Sequence, residues 1–178
     1  MPRFVAFLRA VNVGGRSVKM EALKAVFEGL GFARVQTFIA SGNVVFDSQA
    51  RNVAALERKI EAALQAAFGF EIDTFVRTLD EVAVLADHPA FEAGTQRTRT
   101  QVIGFLRDAP TPQALQAIEA MTTEVDELQL HGRELFWRSS NSQAESTFSN
   151  AAFERALKLR TTFRGVATLR KLVAKHRG

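Results

Sequence analysis

One short pattern occurs twice in this chain, and it narrows the possible folds more than any other feature. Arg3-Phe-Val-Ala-Phe-Leu-Arg9 and Gln101-Val-Ile-Gly-Phe-Leu-Arg107 share an ending of apolar, small, Phe-Leu-Arg, and each is an unbroken apolar run closed by arginine. A repeated unit constrains topology before any single element is assigned.

The elements after each run follow the same order. Met20, Leu23, Val26, Phe27 and Leu30 recur at helical spacing before Gly31, a natural left-handed stop. In the second half Thr111 reads as an N-cap, Pro112 stands in the first turn, and Leu115, Ile118 and Met121 form the stripe. Two strands come next in each half: 35–39 and 43–47 around Ala40-Ser41-Gly42, then 127–131 and 134–138 around Gly132-Arg133. A helix capped by Asn52 turns Val53, Leu56, Ile60 and Leu64 to one side and Glu57, Arg58, Lys59 and Glu61 to the other, until Gly69 stops it. Its counterpart starts from Ser149 or Asn150 and carries Phe153 and Leu157. Fourth strands are expected over 72–76 and roughly 159–163, each with a trailing helix. Thr78-Leu-Asp-Glu81 opens the first of these as a capping box, and Val166, Leu169, Leu172 and Val173 give the second its apolar face.

The order is βαββαβ plus one helix, twice. It predicts an α+β fold of two ferredoxin-like βαββαβ halves related by internal duplication: residues 1–88, a linker at 89–99, and residues 100–178. Phe4 to Leu8, Val44 to Phe46 and Val102 to Leu106 are apolar on both strand faces, so the second faces also need cover. The other half is the simplest source of that cover, which predicts one compact unit.

Composition excludes several classes. The chain has no cysteine, which removes disulfides, thiolate metal sites and cysteine nucleophiles. Its longest apolar runs are about five residues, against the roughly 20 that cross a bilayer, and Arg9 interrupts any resemblance to a secretory leader. The expectation is a cytoplasmic protein with no membrane partner. The net charge of +4 is unevenly spread: eight basic residues and no acidic one follow Glu154, leaving 15 basic and 19 acidic residues, net −4, before it. That terminus suits either a solvated helix end or an acidic partner such as RNA.

Leu8-Arg-Ala-Val-Asn-Val-Gly-Gly15, followed by Lys19-Met20, then Leu30-Gly31-Phe32 and Ser41-Gly-Asn-Val-Val-Phe46, resembles the domain-of-unknown-function 1697 family (DUF1697). The resemblance implies a bacterial cytosolic α+β protein of ferredoxin-like halves, and no established activity. The family's glycine after the first arginine is Ala10 here. Its glycine-rich basic segment before the helix at Ser149 appears as Ser142 to Phe148, with Glu145 and Thr147 in place of arginine and lysine. Near the end Arg164 and Thr168 are kept, while an asparagine and a tryptophan of the family pattern are lost.

The loop from Arg9 to Lys19 is the leading candidate site. Gly14 and Gly15 free the backbone before a helix start, whose amides and positive dipole end favour an anion. Arg9, Arg16 and Lys19 add charge, and Asn12 offers both a donor and an acceptor. A wide structural turn is the competing reading of the same residues. Ser41 and Asn43 at the hairpin tip, and Arg164 from the family pattern, complete the candidate ligand-binding set; here too ordinary turn chemistry explains Ser41-Gly42-Asn43.

No catalytic residue can be named. P-loop, G-x-G-x-x-G and G-x-S-x-G patterns are absent, so no cofactor is signalled and Ser139, Ser140, Ser142, Ser146 and Ser149 have no nucleophile setting. His88, His131 and His176 lack metal-ligand spacing, and Trp137 reads as a packed strand residue. The leading expectation is a binding protein for an anionic or phosphate-bearing small ligand. An enzyme on a phosphorylated or nucleotide-like metabolite, RNA binding through the basic terminus, and a structural or interaction role through an exposed sheet edge are the alternatives.

Overall fold

The computed structural model describes residues 1–11, 14–38, 42–89, 100–142 and 148–177. The element order is β1 (Arg3–Leu8), α1 (Met20–Gly29), β2 (Ala33–Phe38), β3 (Asn43–Asp47), α2 (Val53–Phe68), β4 (Thr74–Thr78) and α3 (Leu79–Ala86). It continues with β5 (Thr100–Leu106), α4 (Pro112–Glu119), β6 (Asp126–His131), β7 (Glu134–Ser139), α5 (Asn150–Leu157), β8 (Thr161–Gly165) and α6 (Val166–His176). The fold is α+β: two four-stranded antiparallel sheets, ordered β2-β3-β1-β4 and β6-β7-β5-β8, with six helices among the described residues. Contacts divide the chain into residues 1–82 with 172–178, and residues 83–171, so the division passes through α3 and α6. The expected linker, apart from Pro89, lies outside the described residues.

Helix ends follow local chemistry. The Asn52 side chain accepts from Ala55 N at 3.0 Å, Thr111 from Ala114 N at 3.2 Å and Ser149 from Ala152 N at 3.1 Å. Thr78 and Glu81 cap each other reciprocally, at 2.7 and 3.1 Å. Gly69 ends α2 with φ 79°, the left-handed turn that glycine enters without Cβ strain. At the matching end of α5, Lys158 takes φ 56° instead.

In the first unit, the helix-facing core gathers Phe4, Ala6, Leu8, Val44, Phe46 and Val76 from the strands with Leu23, Phe27, Leu56, Ile60 and Leu64 from the helices. Phe46 is its hub, with ring centroids 5.7 Å from Phe4, 5.4 Å from Phe27 and 4.5 Å from Phe32. Each such pair adds about 0.5–1.5 kcal/mol beyond the area it buries. The opposite face is buried too: Val5, Phe7 and Val45 are fully inaccessible, and so is almost all of Phe75. In the second unit Trp137 holds the same role, 5.5 Å from Phe153 and 6.0 Å from Phe148, with its indole N–H donating to the buried Asp126 carboxylate at 3.0 Å.

Four sequence expectations need correction. Strands β4 and β8 start two residues later than their apolar runs and extend through Arg77 and Arg164, which pair with Val5 and Ile103. A charge inside a strand argues for ending it, because arginine is rarely buried. Here the guanidinium of Arg77 reaches back to the Val76 carbonyl at 2.9 Å, and Arg77 is buried. Strand β2 begins at Ala33, two residues early, because a register irregularity between Ala33 and Gln36 lets Arg34 adopt φ 46° while its side chain pairs with Asp47. In α4 the buried pair is Ala114 and Ile118; Leu115 is exposed, and Met121, beyond the helix end at Glu119, packs partly buried against the core.

The fourth correction concerns Glu57, placed by periodicity on the wet side of α2 and found buried. Strand β4 is a sheet edge, and its three outward amides each meet a glutamate. Thr74 N donates to Glu61 at 2.9 Å, Val76 N to Glu57 at 2.9 Å, and Thr78 N to Glu81 at 2.7 Å. These carboxylates satisfy donors that an uncovered edge would offer to another chain. At β8 the same kind of contact recurs, Thr161 N donating to Glu154 at 3.1 Å.

Candidate functional site

The loop that closes β1 is anchored at both ends by core residues, Val11 and Val18, each under 5% exposed. Gly14 and Gly15 stand exposed between them at φ 65° and 82°, with open space where a side chain would project. Lys19 is the N-cap of α1, and it differs from the N-caps of α2, α4 and α5 in having no side-chain oxygen to bond the first-turn amides. Lys19 thus gives those amides no side-chain acceptor, and the positive end of the helix dipole lies at the same place. Lys19 is exposed beside them, while Glu21 in the first turn partly offsets its charge.

The other candidates are placed less favourably for a shared ligand. The Arg9 guanidinium lies 3.9 Å from Asp73, and its backbone N–H donates to the Asp73 carbonyl at 2.9 Å, so much of its charge is answered within the fold. Arg16 sits 4.9 Å over the Phe70 ring. Asn43 is fully buried, its side-chain amide donating to the Phe38 carbonyl at 2.9 Å. Asn12 and Ser41 lie outside the described residues. Between them and the strand, Gly42 has a steric reason to be glycine: at φ 82° its Cβ would fall 3.0 Å from Val11 Cγ2 and 3.1 Å from Leu8 Cβ. Gly42 also accepts from Leu8 N at 2.9 Å, which locks the hairpin to the end of β1.

Arg164 belongs to the second unit. Its Nη1 donates to Thr162 Oγ1 at 2.7 Å and to the Phe163 carbonyl at 2.9 Å, and burial pushes the guanidinium down to about 10. A desolvated cation of this kind favours an anion close by. Ala10, where the family pattern has glycine, sits at φ 55°, a conformation that glycine would hold without strain.

The basic terminus is docked rather than free. Arg3 donates to the His176 carbonyl at 3.0 Å, placing a cation on the last turn of α6; the His176 ring lies 6.0 Å from Phe38, and Lys175 stands 5.6 Å over the same ring. In the second unit, Arg170 donates to the Ala86 carbonyl at 3.2 Å.

Spacing along the chain gave no reason to connect His88 with His131, yet their ring centroids are 5.3 Å apart. His88 follows α3 and His131 ends β6. The signal that joins them is tertiary: both pack against Phe136, at 4.6 and 5.9 Å. Among the described residues no group of three His, Cys, Asp or Glu could hold a metal, and no helix is long and apolar enough to cross a membrane.

A solved structure, that of the conserved bacterial protein SP0830 from Streptococcus pneumoniae, is similar over 100% of this chain and 99% of its own, with a TM-score of 0.76 and 22% identity. At that identity the likeness speaks for the fold alone. No curated protein matches the chain. The sequence pattern described as protein of unknown function, DUF1697, matches residues 1–136, a stretch that includes the glycine loop, the Ser41-Gly42-Asn43 tip, β5, β6 and the first half of β7. On that match the chain belongs to the DUF1697 family.

Proposed function

We propose that the loop from Gly14 to Lys19, with the first turn of α1, binds a phosphate-bearing or other small anion. The observation that carries this reading is the combination at one exposed place of two left-handed glycines, a helix start with no side-chain cap, and a lysine at the capping position. An exposed helix end contributes about 0.3–1 kcal/mol toward an anion, and a charge-assisted hydrogen bond from Lys19 about 1.5–3 kcal/mol. Their sum of about 2–4 kcal/mol corresponds to a Kd of about 1–30 mM for phosphate itself. A larger ligand would gain further affinity from its other groups. The test is a titration with inorganic phosphate followed by amide NMR at constant ionic strength. Saturable shifts at Gly14, Gly15 and Glu21 are expected, and Lys19→Gln should raise the phosphate concentration at half-saturation by about tenfold or more. Shifts that chloride reproduces, or that Lys19→Gln leaves unchanged, would reduce the loop to a turn.

We also infer that the two units descend from one duplicated ferredoxin-like ancestor. Equivalent contacts support this: Leu8 N donates to the Gly42 carbonyl and Leu106 N to that of Arg133, both at 2.9 Å. Glu61 meets Thr74 N as Glu154 meets Thr161 N, and the buried Arg77 and Arg164 hold matching registers on β4 and β8. On this reading the glycine loop has no glycine counterpart after Arg107, so the anion site would belong to the first unit.

A further inference from the structure

We propose that His88 and His131 form a binding site for a late first-row divalent transition metal, of the class of Zn²⁺, Ni²⁺ and Cu²⁺. Imidazole nitrogens bind such metals at about 2.0–2.1 Å, so two rings sharing one ion in adjacent positions have centroids about 4.5–5.2 Å apart. The observed separation is 5.3 Å, with the planes inclined at 63°. The rings meet edge to face, so capture of an ion requires both imidazoles to turn about their side-chain bonds until a nitrogen of each points at it.

Two further features favour binding. Phe136 lies 4.6 Å from the His88 ring and runs nearly parallel to that of His131, at 12°, which limits the rotations both imidazoles would lose on capturing an ion. The pair is also reachable: His131 is exposed and His88 half-exposed. Water would complete the coordination, giving an open site rather than a closed structural one. A neutral nitrogen pair selects against Mg²⁺ and Ca²⁺, which require oxygen ligands, and the usual affinity order puts Cu²⁺ above Ni²⁺ and Zn²⁺. The ion would tie the segment after α3 to the β6–β7 hairpin, two elements of the second unit.

The experiment is calorimetric titration of the tag-free full chain with Zn²⁺, Ni²⁺ and Mg²⁺, with electron paramagnetic resonance of the Cu²⁺ form. One equivalent of Zn²⁺ or Ni²⁺ should bind, with no heat from Mg²⁺. His131→Ala and His88→Gln should each weaken binding by about tenfold or more, and the double variant by little beyond the worse single, because the rings act as one chelate. Nitrogen coupling in the Cu²⁺ spectrum should diminish in each variant. His131 lies on an exposed hairpin, so its removal leaves the fold intact, as a thermal melt will verify. Unchanged affinity in both variants, or no Zn²⁺ or Ni²⁺ binding by the wild-type chain, would overturn the proposal.

Discussion

Gly104 and Phe163 make a packing pair whose energetics can be worked out in advance. They are direct partners across β5 and β8, and a Cβ built on Gly104 would lie 2.7 Å from Phe163 Cε1 and 3.0 Å from Cζ. The glycine's φ is not positive, so it is there for space. The corresponding pair in the first unit is Ala6 opposite Val76, in which the small residue has gained a methyl and the large one has lost its ring. Gly104→Ala should gain about 0.5–1 kcal/mol from the stiffer unfolded chain and lose about 1–3 kcal/mol by overpacking, for a net loss near 1–2 kcal/mol. Phe163→Val alone should cost about 2 kcal/mol, since the ring also packs 5.2 Å from Phe153 and 6.5 Å from Trp137. In the Phe163→Val background the same Gly104→Ala change should become stabilising by about 0.5–1 kcal/mol, because the added methyl then meets no ring. The coupling energy of the cycle is therefore at least about 1.5 kcal/mol in favour of the double variant. Urea unfolding followed by fluorescence of Trp137, the chain's one tryptophan, reports directly on this unit. Equal effects of Gly104→Ala in the two backgrounds would refute the steric account.

Two further changes test other features of the fold. Lys158→Gly should raise stability by about 1 kcal/mol, seen as a higher thermal midpoint, because a lysine at φ 56° bears the left-handed strain that Gly69 avoids at the end of α2; a drop would mean that the lysine's side chain matters more than its backbone. For His176, burial, then Arg3 and then Lys175 hold the imidazole below its ordinary value of about 6.5. Folding thus favours the neutral ring, so its stabilisation is complete above about pH 6.5 and is lost as pH falls through the lower folded value. Thermal melts from pH 8 to pH 5 should therefore show a steeper acid decline for the wild type than for His176→Gln, and parallel declines would remove His176 as the cause.

Much of this architecture was legible in the linear sequence because the forces that mark it act over a few residues. Asn52, Thr111 and Ser149 satisfy amides three positions ahead, the Thr78–Glu81 box closes on itself, and Gly69 relieves a strain confined to its own backbone. Unbroken apolar runs likewise announced β1, β3 and β5, and the element order followed from them. The glycine loop was legible for the same reason, as a property of successive residues.

What the tertiary structure decided involves partners far apart in the chain. Periodicity assigned Glu57 to solvent, since a carboxylate is best hydrated unless a donor awaits it; the donor is the edge amide of Val76, on another element. Arg77 and Arg164 continue their strands because backbone carbonyls and a threonine hydroxyl meet their guanidinium groups inside. Arg9 joined the candidate set for its formal charge, and the chain's path brings Asp73 to within 3.9 Å of it. His88 and His131 become neighbours because a hairpin and a helix end converge on Phe136. In each case the competing states are water and a distant group, and their difference in free energy depends on where the fold brings that group.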